Sequence, residues 1–403
     1  MNEKRTERKT QVKDKKKDFL KEAENIRDII FGHAEFLNEN AEVGFDLTVT
    51  KKYVKASLEH LGLEVEEYGK CGIGALIKGM SEGKTVLLRA DMDALSCEGG
   101  AKHLCGHHFH TAMLLGAAEI LSKNKPFCGN VKLMFQPAEE ILEGAKDMID
   151  NGILSSPTPD GAMMLHVMSG IDMPMGCIVV SSAGVSAPAA DFFKIIIKGK
   201  AAHGALAHQG VDAIAVSSYV LVALHQIRSR EIAISEAVGL TVGKINGGES
   251  ANALPEQVVL EGSIRAFNEK TRELLKRRLR EISQGIAATF RAEADVIFTS
   301  GSPCLQNDKN ISDICYRALA EAFGDEKVWL SSEFEKDMSG GSEDFAYVSQ
   351  KIPSVMIGIC AGSKKDGYEF PLHNPSVRFD EGALAIGTAA YSSFAVSFLG
   401  EKE

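Results

Sequence analysis

Residues 85–94 read TVLLRADMDA: a largely apolar run that ends in two carboxylates, Asp91 and Asp93. A run apolar on both faces fits a strand buried in a parallel sheet, and the acids mark its carboxyl end. Similar runs recur on either side. VKLMFQ (131–136), GAMMLHV (161–167) and SVMIGIC (354–360) read as further buried strands. Between them TAMLLGAAEIL (111–121) is apolar almost all round, as a buried helix would be, and EEILEGAKDMIDNGIL (139–154) reads as another helix. Short apolar strands alternating with helices predict an α/β fold with a mostly parallel sheet covered on both faces.

The middle of the chain departs from that rhythm. DFFKIIIKGK from Asp191 is a strand, a helix starts near Val211, and VGLTVGKINGG and VVLEGSIRAF are two strands. An amphipathic helix then runs from Glu269 to Phe290, and ADVIFTS closes the block as a strand. The order β-α-β-β-α-β is that of a ferredoxin-like unit. The reading is therefore one domain made of residues 1–186 and 300–403, interrupted by an inserted ferredoxin-like domain at 187–299.

A chain of 403 residues exceeds what one core usually serves, which agrees with two domains. The formal net charge of -10 argues against a nucleic-acid or anionic-membrane binder. The first thirty residues are charged and lack the apolar segment of a secretory signal. They read as a solvated helix, and no apolar run is expected to reach the ~18 residues of a membrane span. Eight scattered cysteines without paired C-x-x-C units read as reduced thiols in a cytoplasmic protein.

Ligands of open α/β sheets bind beyond the carboxyl ends of the strands. Asp91 and Asp93, Glu139 and Glu140, and His166 all follow strands, His373 lies in the loop after the fourth, and the Cys105–His110 cluster opens the helix from Thr111. Each has a plainer reading alone: a polar core histidine, a buried thiol, acids at a helix start. Together they could direct thiolate, imidazole and carboxylate to one place, a donor mixture that suits zinc, manganese or related divalent ions. Adjacent glutamates would let one carboxylate bind metal while its neighbour takes a proton from water, as in amide or ester hydrolysis.

These residues carry a family resemblance. AEVGF (41–45), RADMDAL (89–95), CGHHFHTAMLLGAA (105–118), FQPAEE (135–140), GKAAHGALAHQGVDAI (199–214), NALPEQVVLEGSIRAF (252–267), GGSEDFAY (340–347) and LHNPSVRFDEGAL (372–384) occur in the order of the M20 metallopeptidase superfamily. The chain looks closest to the amidohydrolase branch, which includes N-acyl-L-amino-acid, hippurate and auxin-conjugate hydrolases. The resemblance implies a catalytic α/β domain with an inserted lid through which two copies dimerise. It implies two divalent ions per chain, manganese or zinc, with nickel or cobalt as alternatives, held by Cys105, His107, Glu140, His166 and His373. Glu139 would be the general base and His203, from the lid, would stabilise the oxyanion. Asn252 and Arg265 would contact substrate, and Asp91 and Asp93 would orient ligands. The implied reaction is hydrolysis of an N-acyl amino acid. A dipeptidase or carboxypeptidase using the same centre, or a non-catalytic binding relative, is the alternative.

The chain departs from the family pattern in four places. His108 stands where the family has Asp in C-G-H-D-x-H, and Ser96 replaces a proline. Ile141 to Gly144 replace a glycine-rich turn, and Ala207 replaces the proline of the lid motif. None removes an implied ligand.

Overall fold

The computed structural model describes residues 19–125, 127–334 and 341–401. The charged helix expected at the extreme N-terminus lies mostly outside them. The chain divides into two compact units. One is built from the stretch up to Ser186, most of the stretch from Gln306, and the stretch from Asp344; the other is Ala187–Leu305 with 341–343.

The first unit has eight strands in one sheet: β1 (Val65–Tyr68), β2 (Gly72–Lys78), β3 (Thr85–Asp91), β4 (Asn130–Gln136), β5 (Gly161–Ile171), β6 (Ile178–Val180), β7 (Val328–Leu330) and β8 (Ser354–Ser363). Their order is β1-β2-β4-β3-β5-β8-β6-β7. The four central strands run parallel, with Thr85 beside Asn130, Val86 beside Gly161 and Ser354 beside Ala162. All seven residues of β3 are buried, as the opening run of the sequence requires. Outside these four, β1, β2 and β6 pair antiparallel with their inner neighbours, and the edge strand β7 runs parallel to β6.

Helices α1 (Arg27–Glu39), α2 (Thr48–His60), α3 (His107–Asn124), α4 (Gly144–Asp150), α5 (Lys309–Phe323) and α6 (Gly382–Gly400) belong to this unit. Their apolar faces merge with those of the strands in one core that includes Ile30, Leu58, Val86, Leu88, Leu114, Leu133, Leu165, Val355 and Phe394. Two sequence expectations need correction. Glu139–Leu142 is a turn, and the helix is confined to Gly144–Asp150: Leu142 stands at φ +57°, and the Asp93 carboxylate accepts from the backbone N–H groups of Glu139 and Glu140. And α6 is long and apolar enough to cross a membrane; 89% of it is buried inside the unit, so it is a core helix.

In the second unit Val238–Gly247, Gln257–Ala266, Ala189–Lys198 and Glu293–Ser302 form an antiparallel sheet in that spatial order. Helices Ala213–Gln226 and Glu269–Thr289 give the chain order β-α-β-β-α-β. Both helices start at side-chain caps, Asp212 and Asn268, and bury Val216, Val220, Leu275 and Leu279 in a separate core.

Candidate metal centre and active site

Cys105 and His107 are brought together by the residue between them. Gly106 opens α3 at φ +86°, in the left-handed region, and a Cβ there would lie 2.3 Å from Val167 Cγ2. Gly106→Ala is expected to lower the thermal unfolding midpoint more than Gly62→Ala. Gly62 also has positive φ, at +74°, but open space around it, so it isolates the backbone cost of about 1–2 kcal/mol. Equal shifts in the two variants would show that the packing against Val167 is immaterial.

Around this turn six side chains converge. His166 Nε2 lies 3.5 Å from Cys105 Sγ, and His373 Nε2 lies 3.2 Å from it. Glu140 reaches His107 Nε2 and His373 Nε2 with its two oxygens, each at 3.8 Å. Glu139 Oε2 is 3.9 Å from His107 Nε2. Donor atoms of Cys105–His107–His166, of Cys105–Glu140–His373 and of His107–Glu139–Glu140 each lie within 4.8 Å of one another.

The imidazoles are oriented by the backbone. His107 Nδ1–H donates to the Asp93 carbonyl at 2.9 Å, and His166 Nδ1–H donates to the Val167 carbonyl at 2.7 Å. Each Nε2 lone pair therefore faces the cluster, the arrangement typical of ligating histidines. His107 Nε2 and Glu140 Oε1 are buried and have no hydrogen-bond partner. Atoms 3.8 Å apart are too far for a hydrogen bond but match two ligands of one ion at about 2.0–2.2 Å each. The donor set thus fits divalent ions.

The ring of His110 is turned elsewhere. Its Nδ1–H donates to Asp91 at 2.6 Å and its Nε2 accepts from Val167 N at 2.9 Å. Both nitrogens are used, so His110 ties helix to strands and is no ligand, although it lies within ligand distance of Asp91 and His107. Burial pushes it down to about 3 against the pull of Asp91.

Electrostatics follow from the crowding. Burial works to raise the Cys105 thiol, but His166 and His107 outweigh it and hold it well below the usual range. Burial works to lower His166, and the Cys105 thiolate outweighs it and brings it to about 9. Burial, with Cys105 and Asp93 nearby, raises Glu140 to about 7. A cation in the cluster would favour the thiolate of Cys105, the neutral ring of His166 and the carboxylate of Glu140 together.

Strain gathers here too. Ala138 and Leu142, on either side of the glutamate pair, and His373 itself have φ of +54°, +57° and +66°. Such backbone costs about 1–3 kcal/mol each and persists where surrounding contacts dictate it. Here Leu104 O accepts from His373 N, and Ala138 O from Glu143 N and Gly144 N.

Sequence reasoning passed over the groups beneath. Arg89 is fully buried; it donates from Nη1 to Asp91 at 2.7 Å, from Nη2 to Asp344 at 3.1 Å and from Nε to Gln136 at 2.8 Å. Asp344 also accepts from Gln136 at 2.6 Å and from Ala145 N at 2.9 Å. The one sign in the sequence was an arginine interrupting the apolar run of β3. His108, where the family has Asp, turns away from the cluster toward His103, their ring centroids 5.0 Å apart. Burial lowers both, His103 to about 3.

In the second unit His203 and Asn252 are neighbours. His203 pairs with Ala253 in a short two-stranded ladder, and Gly204 N donates to Asn252 O at 2.7 Å. His203 Nδ1 accepts from Ala205 N at 3.1 Å, which leaves Nε2–H as the free donor of this exposed ring. Arg265 is half-buried, donates to Ser342 Oγ, and among the described residues has no carboxylate within ion-pair distance.

Comparison with known proteins identifies the family. The family model for peptidase family M20/M25/M40 matches residues 87–397, well over half of the chain. The N-acetyl-L-cysteine deacetylase of Bacillus subtilis is 36% identical over 88% of this chain and 84% of its own length. Thermostable carboxypeptidase 2 of Saccharolobus solfataricus is 32% identical over 94% of this chain and 97% of its own. The crystal structure of the Bacillus subtilis YXEP protein, a dinuclear metal binding peptidase from the M20 family, superposes with a TM-score of 0.73 at 28% identity, covering 93% of this chain and 99% of that one. The chain belongs to peptidase family M20/M25/M40 and is an amide-hydrolysing enzyme of that family.

Proposed function

We propose that the chain hydrolyses N-acyl amino acids to a carboxylic acid and a free amino acid, with Cys105, His107, Glu140, His166 and His373 holding two divalent ions. The convergence of three Nε2 atoms, the Glu140 carboxylate and Cys105 Sγ carries this reading. Manganese or zinc suits the mixed donor set. When bound, the ions supply Lewis-acid polarisation of the carbonyl and acidify the attacking water.

The chain's own groups do the remaining work. Glu139, beside His107 and held by Asp93, takes the water's proton and returns it to the leaving amine. His203 donates Nε2–H to the developing oxyanion. Arg265, with no acid of its own among the described residues, recognises the α-carboxylate of the amino-acid half as a bidentate fork, and Asn252 contacts the acyl-amide. The deacetylase relative supports an acyl amide and the carboxypeptidase relative a peptide.

Amine release from a panel of N-acyl amino acids, their α-carboxamides and dipeptides separates these readings. Faster turnover of the free acids than of the amides is expected, and preference for dipeptides would move the assignment to a peptidase. Homodimerisation through residues 187–299 is supported by Ile214, Tyr219 and Val222, apolar yet 49%, 54% and 71% exposed on one helix. Eight unpaired cysteines support a reducing, cytoplasmic setting.

A further inference from the structure

In the antiparallel sheet of the second unit, Phe192 and Arg265 stand side by side on the face that the helices leave open. Register puts them there. Phe192 pairs with Ser263, and Arg265 with Ala190, so these four side chains share one face. Phe193, Ile195, Leu260 and Ile264 belong to the core on the other face, with the two helices. The Arg265 guanidinium carbon lies 5.9 Å from the Phe192 ring centroid, within cation–π range. The flanking residues are small: Ser300 lies beside Phe192 in the next strand, and Gly239 beside Arg265 on the opposite side. Nothing bulky covers the pair from its cross-strand neighbours, and Phe192 is 39% exposed.

The guanidinium is held in one orientation. The Ser342 hydroxyl donates to the Pro188 carbonyl at 2.8 Å, so its oxygen accepts from Arg265 Nη1. Nη2 and Nε, which form one edge of the fork, have no hydrogen-bond partner among the described residues. A cation with a free two-donor edge matches a carboxylate, and an uncovered aromatic ring beside it matches an apolar group on the same molecule. In an α-amino acid the carboxylate and the side chain leave the same carbon, so binding of one at Arg265 brings the other to Phe192. The plain alternative is that Phe192 only shields the arginine. A shield accounts for the cation–π contact but not for the donor edge left free.

We infer that Phe192 determines specificity for the amino-acid half of the substrate and selects an apolar side chain, best an aromatic one. The inference rests on the proposed role of Arg265 as the α-carboxylate contact.

The test uses L-phenylalanine, L-leucine and L-alanine, each as its N-acetyl and N-benzoyl derivative, with the metal-loaded wild type, Phe192→Ala and Phe192→Leu. Wild-type kcat/KM is expected to be about tenfold higher for the phenylalanine derivative than for the alanine derivative of the same acyl group. That ratio is expected to fall to near one in Phe192→Ala and to an intermediate value in Phe192→Leu, which keeps an apolar body. A ratio of two substrates does not depend on how much of a variant folds, and the wild-type ratio needs no variant. Equal wild-type rates on phenylalanine and alanine derivatives, or an unchanged ratio in Phe192→Ala, would overturn the inference and leave the hydrolase reading standing. Release of amine from none of the derivatives by wild type would overturn the hydrolase reading and this inference with it.

Discussion

Glu139→Gln is expected to lower kcat by about 10²–10⁴-fold while leaving bound metal unchanged. The substitution keeps the size of the side chain and removes its capacity to accept a proton. Its backbone N–H would still donate to Asp93 at 3.0 Å, so the turn keeps its shape. The adjacent Glu140 makes the contrast sharp. Glu140 lies 3.8 Å from both His107 and His373, so Glu140→Gln is expected to lower metal content as well as rate. Metal analysis beside steady-state kinetics separates the two roles. A Glu139→Gln enzyme within tenfold of wild type, or one that has lost metal like Glu140→Gln, would remove Glu139 from the role of base.

The division of labour proposed for these glutamates was only partly legible in the sequence. Strand ends are readable because a buried run stops where polar residues begin: Asp91 ends β3, and Glu139 and Glu140 follow the end of β4, but His166, expected at a strand end, lies inside β5, which runs on to Ile171. The path of the chain through Glu139–Glu143 was not readable. Helical spacing continues across it, but Leu142 takes a positive φ of +57°, and the N–H groups of Glu139 and Glu140 are bound by the carboxylate of Asp93, 46 residues before Glu139. Periodicity records local preference and carries no trace of a capture at that separation. The same holds for His110, whose i, i+3 spacing from His107 suggests a shared face, while Asp91 and Val167 turn its ring elsewhere. His108 read only as a departure from the family pattern. Its meeting with His103 depends on the left-handed turn at Gly106, which glycine permits but does not announce.

Arg89 illustrates the limit most fully, and it carries the largest expected effect on stability. Its guanidinium joins Asp91, Gln136 and Asp344, the last 255 residues away, without exposure to water. Removing one partner of a buried ion pair strands the others, so Arg89→Met is expected to destabilise the first unit by about 3–5 kcal/mol. Urea unfolding followed by circular dichroism measures this, and a loss below about 1 kcal/mol would mean that water or rearrangement satisfies Asp91 and Asp344 instead. Acid should expose the same dependence. Burial works against the charge of Asp91, but His107, Arg89 and His110 hold its carboxyl well below the usual range. A group depressed in the folded state stabilises it above the unfolded value, about 3.9, and that stability is lost as pH falls through the folded value. Taking away Arg89 raises the folded value of Asp91, so the acid-unfolding midpoint of Arg89→Met is expected at higher pH than that of wild type. Because Asp91 also anchors His110, and Asp344 anchors Ala145 at the start of α4, the variant that does fold should bind metal more weakly. Tight metal binding in a folded Arg89→Met protein would show that the charges under the cluster serve stability alone.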